Sequence, residues 1–484
     1  MPTKLLIGLF RKSKNKVNRM RNIIKQRALM KKFSSVLLLT TIIVIGFVFI
    51  LRRGTSPRHG TPKIVVTPEN ALLDEPIEIV ISNFTANAQV TIEASIKDKG
   101  NNVWISRATF QADDKGVVNV AKQASISGSY LGIDPIGLFW SMSPTIKHQT
   151  LSMLVSLNLI PFELSIFSDN KLLTQKTIYR RHIAPNVEKK EIREQGIVGT
   201  LFYPKGKKSP GVMIIPGSSG QLPGYVAQLL ASHGYTVFET RYFGQKGLPK
   251  NISLIPLEYF KNAMQWFKKQ PQVDENKIAL MGQSTGGELV LLLASTFPGQ
   301  MNAVIALSAP SFILGAWTYK NKPLPFISLS DKEMLEIARE GSIDVQKGTI
   351  ERPLRSLCQL YLYEMKIGKF KKFIKEAMIP VENIRCPLLI LSGDKDTLWP
   401  CSLFGKNIME RLDLCGSKIK RKFINYLNAG NNLLLIPPVP SIDLPFQLAD
   451  GSWSIHGGST EGNAHAHKEA WQEILNFLKQ RFKL

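Results

Sequence analysis

Cysteine is scarce in this chain: four in 484 residues, Cys358, Cys386, Cys401 and Cys415. Their spacing fits no zinc or cluster motif, which excludes a metal site built on thiolates. If 402–414 is helical, Cys401 and Cys415 stand about 21 Å apart, beyond the reach of a disulfide, so a disulfide framework is not expected. Internal repeats and low-complexity tracts are absent too. Acidic residues are missing from positions 1–32, which hold eleven Lys or Arg, and charge of either sign is missing from 33–51, FSSVLLLTTIIVIGFVFIL.

Nineteen uncharged residues suffice for one helix to cross a bilayer. A cleaved leader would be shorter and end at small residues, whereas this run ends in LRRGTSPRHG. The expectation is an uncleaved signal anchor: a basic cytosolic tail over 1–32, a single transmembrane helix over 33–51, and a linker over 52–63. Only Arg52, Arg53, Arg58 and Lys63 follow the run, against eleven basic residues before it. The positive-inside bias therefore sends the body to the extracytoplasmic side of the membrane.

That anchor also explains half of the charge. The chain has 62 Lys or Arg against 37 Asp or Glu, a net +25; residues 1–53 hold 13 of the bases and no acid, leaving 49 against 37, or +12. A moderately basic surface without a nucleic-acid motif argues for an anionic lipid or anionic substrate as partner, and against nucleic acid.

Two bodies follow the linker. From Ile64 to about 180 the chain gives short apolar runs (KIVVTP, IEIVISNF, QVTIEASI, VWISRATFQ, LSMLVSL, FELSIFSD) broken by turn residues such as DDKG and DNK. This predicts an immunoglobulin-like antiparallel β-sandwich over 64–180. No acid/base pair stands out there, so it is expected to pack or to flank a substrate mouth. From 190 to 484 the runs GVMIIPG, GYTVFETRYFG, KIALMGQS, AVIALSAP, PLLILSGDKD and KFINYLNAG read as continuously apolar strands. Helical patterns such as YVAQLLASHG, LEYFKNAMQWFKKQ and GELVLLLASTF lie between them, as a buried parallel sheet requires.

One junction carries chemistry. KIALMG reads as a strand, GGELVLLLAS as a helix, and Ser284 in LMGQSTGG stands on the turn between them. GxSxG arises by accident in roughly one chain in seven of this length, so the flanking strand and helix decide. A strand, GxSxG and a helix make the nucleophile elbow of an α/β-hydrolase. Small neighbours let the backbone make the turn, and the hydroxyl is pushed out above the sheet. The N–H of Thr285, opening the helix, is one expected oxyanion donor; the second is expected from IIPGSSG, at Gly217 or Ser218.

At this point the sequence resembles a family, the acyl-CoA thioesterases and bile acid-CoA:amino acid N-acyltransferases. The likeness spans both bodies: VTPENALLDEPIEI and GSYLGIDPIGLFWSMSP in the first; LLASHGYTVFETRYFGQKGLP, IPLEYFKNAMQWF, GQSTGGELVLLLAS, SGDKDTLWPCS and EAWQEILNFL in the second. The resemblance implies Ser284 as nucleophile and Asp396 as the triad acid; Asp394 is the nearby rival, read as a turn residue capping GDKD. It implies no metal or organic cofactor. Transferases of this family use cysteine as nucleophile, so serine favours release of the acyl group to water. The family histidine follows a strand in a segment like AGH; this chain has NAGNNLLLIPP, which puts Asn431 in that place. An amide has no basic nitrogen at neutral pH and cannot take the serine's proton.

His59, His148, His182 and His233 lie outside the region of the base, His465 falls on a solvated helix face, and His467 shares a helix face with Ile474 and Leu478. His456, in SWSIHGGSTEGN, lies on the loop before the last helix and is the substitute base to examine. The expected activity is serine-dependent acyl-thioester hydrolysis, as in acyl-CoA thioesterases. The alternatives are a catalytically impaired acyl-binding protein, suggested by Asn431, and an esterase for a non-CoA lipid, suggested by the membrane side of the body. A cap over about 311–375 carries no readable specificity code.

Overall fold

The computed structural model describes residues 60–483, except 99, 147–158, 221–223, 327–337, 341, 344–347, 350–351, 354–356, 368–374, 436–438 and 448–450. The basic tail, the expected span over 33–51 and the expected strand LSMLVSL at 151–157 lie outside these residues, as does part of the cap. Among the described residues no helix is long and apolar enough to cross a membrane.

The first body consists of two sheets. Lys63–Thr67, Glu78–Ser82 and Val118–Asn119 form the smaller one, antiparallel throughout. The larger runs in the order Asn70–Leu72, Lys171–Arg181, Leu159–Ser168, Gln89–Lys97, Val103–Gln111, Ser127–Gly128, with Ser143–Pro144 beside Val103–Gln111. Burial alternates residue by residue along Gln89–Lys97 and Val103–Gln111, because only one face of each strand meets the core. Ile64, Val66, Ile79 and Ile81 of one sheet and Ile92, Phe110, Phe162 and Leu164 of the other belong to a single hydrophobic cluster.

In the second body we label eight strands: β1 (Val187–Glu194), β2 (Ile197–Pro204), β3 (Ser209–Ile215), β4 (Thr236–Arg241), β5 (Val273–Gln283), β6 (Ala303–Leu307), β7 (Leu388–Gly393) and β8 (Arg421–Tyr426). Their order across the sheet is β1-β2-β4-β3-β5-β6-β7-β8. The first two pairings are antiparallel and the rest parallel. This is the strand order of an α/β-hydrolase. The helices are α1 (Tyr225–Ser232), α2 (Leu257–Lys268), α3 (Thr285–Thr296), α4 (Leu357–Ile367), α5 (Cys401–Leu414) and α6 (Thr460–Phe482).

Strand β3 shows why the central runs are apolar without alternation. Val212 and Ile214 face the cluster that includes α1 and α6, while Met213 and Ile215 face the one that includes α2, α3 and α5. Both faces of the sheet are covered, so every position is buried. The edge strand β1, VEKKEIRE, is different: Ile192 is its one buried residue and its charges blunt the open edge.

The two bodies share one core. The cluster containing Ile92 and Phe162 continues through Phe139 to Trp471 and Ile474 on α6. Trp471 is buried and its Nε1 donates to Asp74 Oδ2 at 2.7 Å. Burying one indole removes about 200 Å² from water, worth roughly 5 kcal/mol before ordering costs. A backbone bond from Ser441 N to Trp140 O, 2.9 Å, adds to the seam. The GIDPIGLFWSM segment is therefore part of the joint between the bodies.

Candidate active site

Ser284 stands where β5 gives way to α3, with φ 60 and ψ −125. A side-chain-bearing residue at positive φ is strained and persists only where its surroundings hold it. Here the crowding is backbone on backbone. A Cβ at Gly282 would lie 2.2 Å from Gly286 O, and one at Gly286 would lie 2.1 Å from Ile215 O. Both positions have to be glycine. Ser284 N donates to Leu307 O at 2.9 Å and Ser284 O accepts from Glu288 N at 3.0 Å, so the turn is pinned on both sides.

The turn after β3 lies against this elbow. A Cβ at Gly217 would sit 3.5 Å from Ser284 Cβ and 3.8 Å from Thr285 N. Thr285 is the first residue of α3, where the N–H has no partner inside the helix. Gly217, Ser284 and Thr285 thus come together, with Ser218 following in the same turn.

Asp396 lies beyond the end of β7 and is buried. Its Oδ1 accepts from Leu398 N at 2.8 Å and Trp399 N at 3.2 Å. Its Oδ2 accepts from Asn431 Nδ2 at 2.7 Å. Burial pushes the carboxyl up to about 6, against the pull of the Cys401 thiol, Asn431 and these amides. Asp394 instead lies 3.2 Å from Lys395 Nζ, and its N–H goes to Tyr426 O.

Asn431 is 2 % exposed. Its N–H donates to His456 O at 2.9 Å, and its carbonyl accepts from Ser308 Oγ at 2.6 Å and Gln283 Nε2 at 3.3 Å. Gln283 immediately precedes Ser284, so Asn431 is held directly beside the elbow. Ser284, the Gly217 turn, Asp396 and Asn431 are assembled in one place.

His456 contributes its backbone to this place, accepting from Asn431 N and, at 3.3 Å, from Thr397 N. Its ring is engaged elsewhere: it stacks on Phe446 with centroids 4.3 Å apart, and Nδ1 lies 3.7 Å from Asp443 Oδ1. His467 is buried; its Nε2 donates to Asn432 O at 2.9 Å, Nδ1 meets Ser441 Oγ at 3.2 Å, and burial drops it to about 4. It is neutral at physiological pH and anchors the loop next to Asn431. His465 is exposed, His182 is buried, and His233 pairs with Asp74. No histidine among the described residues hydrogen-bonds to Ser284 or Asp396.

Sequence reasoning missed several members of this site. Ser308 and Gln283 fix the backbone of Asn431, and Cys401 touches Asp396; no spacing in the sequence links them to these partners. It also missed Glu288, fully buried on α3, whose Oε1 accepts from Trp317 Nε1 at 2.6 Å and Gly315 N at 3.1 Å. Burial raises this carboxyl to about 7. It ties the chain after β6 to the nucleophile helix. The signal available was an acidic residue inside GGELVLLLAS, an otherwise apolar helix.

Residues 74–194 match the family model described as acyl-CoA thioester hydrolase/BAAT N-terminal region, and 255–483 match BAAT/acyl-CoA thioester hydrolase C terminal. Residues 197–310 also match the dienelactone hydrolase family. Acyl-coenzyme A thioesterase 2, mitochondrial, of Mus musculus is 29% identical over 427 residues, covering 86% of this chain and 88% of that protein. Acyl-coenzyme A amino acid N-acyltransferase 1 of Mus musculus is 28% identical over 430 residues, covering 86% and 97%. Among solved structures, the α/β hydrolase GrgF from Penicillium sp. matches with a TM-score of 0.37 at 17% identity, covering 62% of this chain and 99% of that one.

Proposed function

Because the chain belongs to the acyl-CoA thioester hydrolase/BAAT family, we propose that it hydrolyses acyl thioesters slowly through Ser284, with acyl-CoA as the thioester to assay. The observation that carries this reading is Ser284 at φ 60 on the elbow, flanked by Gly217 and the free helix N-terminus at Thr285. Ser284 Oγ attacks the thioester carbonyl carbon and gives its proton to solvent water, and the developing oxyanion is held by Thr285 N–H and the Gly217–Ser218 turn. The C–S bond then breaks and water releases the acid from the acyl-serine.

Thioesters suit a site with this defect. A thiol of pKa about 8.5 leaves as thiolate without help from a general acid. What the amide at 431 withholds is the base that takes the serine's proton and later the water's. Preorganised oxyanion donors and binding alone leave about 10³- to 10⁴-fold over water in hydrolases stripped of a triad member. The test is thiol release from a long-chain acyl-CoA. Turnover above the uncatalysed rate is expected; none at any chain length overturns the reading in favour of an acyl-binding protein.

We place the body on the extracytoplasmic side, from eleven basic residues before 33–51 and four after it. Protease added outside intact cells should then degrade the hydrolase body. Full protection there would reverse the orientation and put the body beside the cytosolic pool of coenzyme A thioesters; degradation would favour another acyl ester or thioester, such as an envelope lipid, as natural substrate.

A further inference from the structure

The turn after β3 is fastened by two consecutive residues at the end of β4, Arg241 and Tyr242. Tyr242 is buried, and its hydroxyl donates to Pro216 O at 2.9 Å and also lies 3.3 Å from Gly217 O. Arg241 Nη1 donates to Gly220 O at 3.1 Å. Inside the turn Gly220 N donates to Gly217 O at 2.9 Å. The carbonyls of 216, 217 and 220 therefore each have a donor.

A trans peptide is planar, with its C=O and the next N–H pointing in opposite directions. Drawing Pro216 O and Gly217 O toward Tyr242 turns the N–H groups of Gly217 and Ser218 the other way. A Cβ built on Gly217 would lie 3.5 Å from Ser284 Cβ, so this turn borders the nucleophile. We propose that Tyr242 and Arg241 are positioning residues that aim the oxyanion-hole amides of the 217–220 turn. This rests on the reading of Ser284 as the nucleophile of an acyl-transfer site.

Arg241 needs an anchor of its own. It lines a polar cavity of about 310 Å³ together with Lys189, Arg193 and Gln245, where its guanidinium has room to swing. Glu239, two residues back on the same face of β4, prevents this: its Oε1 accepts from Arg241 Nη1 at 2.9 Å, and its side chain is 5% exposed. The backbone of Arg241 is fixed independently, because its carbonyl accepts from Tyr259 OH on α2. The line of support runs from Glu239 to Arg241 to Gly220, with Tyr242 acting in parallel on Pro216 and Gly217.

Tyr242→Phe removes one hydroxyl and keeps the ring; Arg241→Ala removes the second tie and Arg241→Lys restores a donor. Two readouts suffice, neither needing a thioester: amide hydrogen exchange of the peptide covering 216–220, and the rate at which a fluorophosphonate modifies Ser284. Losing an oxyanion donor outright costs about 10²- to 10³-fold, so misaiming one should slow modification roughly tenfold. Faster exchange confined to the turn, slower modification with unchanged probe affinity, and partial recovery in Arg241→Lys are expected. Unchanged exchange in both Tyr242→Phe and Arg241→Ala overturns the brace, as does faster exchange with an unchanged modification rate. Absent thioester turnover in the wild type counts against the substrate proposed above and leaves both readouts standing.

Discussion

Replacing Asn431 by histidine will raise acyl-thioester hydrolysis by at least roughly tenfold, within the 10²- to 10⁴-fold that a general base typically contributes. The place is already prepared. The amide nitrogen of asparagine and Nδ1 of histidine hang from the same side-chain atom, so the 2.7 Å bond to Asp396 Oδ2 can carry over to an imidazole. Nε2 is then left to accept the serine's proton. The backbone of 431 does not depend on its side chain, being held by His456 O, Ser308 Oγ and Gln283 Nε2.

The gain should depend on pH in one direction. Only a neutral imidazole accepts a proton, and Asp396, raised to about 6 by burial, is ionised above that value and stabilises the imidazolium. Activity of Asn431→His should therefore climb with pH through the imidazole's own pKa and then level off. The wild type, with no histidine on this acid, should lack that step. A null result in Asn431→His combined with loss of activity in His456→Ala would show that the base has moved, with the His456 ring leaving Phe446 and Asp443 to act. If neither variant changes a measurable rate, the description of this pocket as a triad with one exchanged member is wrong.

Ser284→Ala should abolish fluorophosphonate labelling and leave thiol release no faster than the oxyanion donors and binding alone supply. Members of a catalytic triad act as a unit, so the size of the loss depends on what else is present. In the Asn431→His background Ser284→Ala should erase the entire tenfold or greater gain, and the double variant should match Ser284→Ala alone. A double variant that keeps the gain would mean that the imidazole of Asn431→His activates water directly and that Ser284 is not the nucleophile. Labelling that persists in Ser284→Ala would mean another serine carries the reactivity.

Much of this architecture is legible in the sequence where both faces of an element are buried. GVMIIPG, KIALMGQS, AVIALSAP and PLLILSGDKD lie on β3, β5, β6 and β7, because a central parallel strand has no face to spend on polar residues. The elbow is legible for a steric reason: glycines at 282 and 286 mark backbone contacts that tolerate no Cβ. The β1 and β2 pair is not legible in the sequence, since VEKKEIRE has a single buried residue and no alternation to betray it. The orientation of the His456 ring was equally unreadable, because the partners that hold it, Asp443 and Phe446, carry no pattern linking them to position 456. Arg241 and Tyr242 sit inside an apolar run, and their role depends on contact with a turn more than twenty residues earlier.

The loop around Gly457 has a consequence for how this chain can change over generations. It is stitched to both halves of the site, bridging Asp396 through Gly457 and Ala429 through Gly458. Gly430 is packed so closely that a Cβ there would lie 2.3 Å from Gly457 O. Position 431 is thereby held in register by its neighbours whichever side chain it bears. The codons for asparagine and histidine differ only in their first base. A lineage carrying this scaffold thus stands a single transversion from an imidazole beside Asp396. The two side chains at position 431 are mutational neighbours on one backbone.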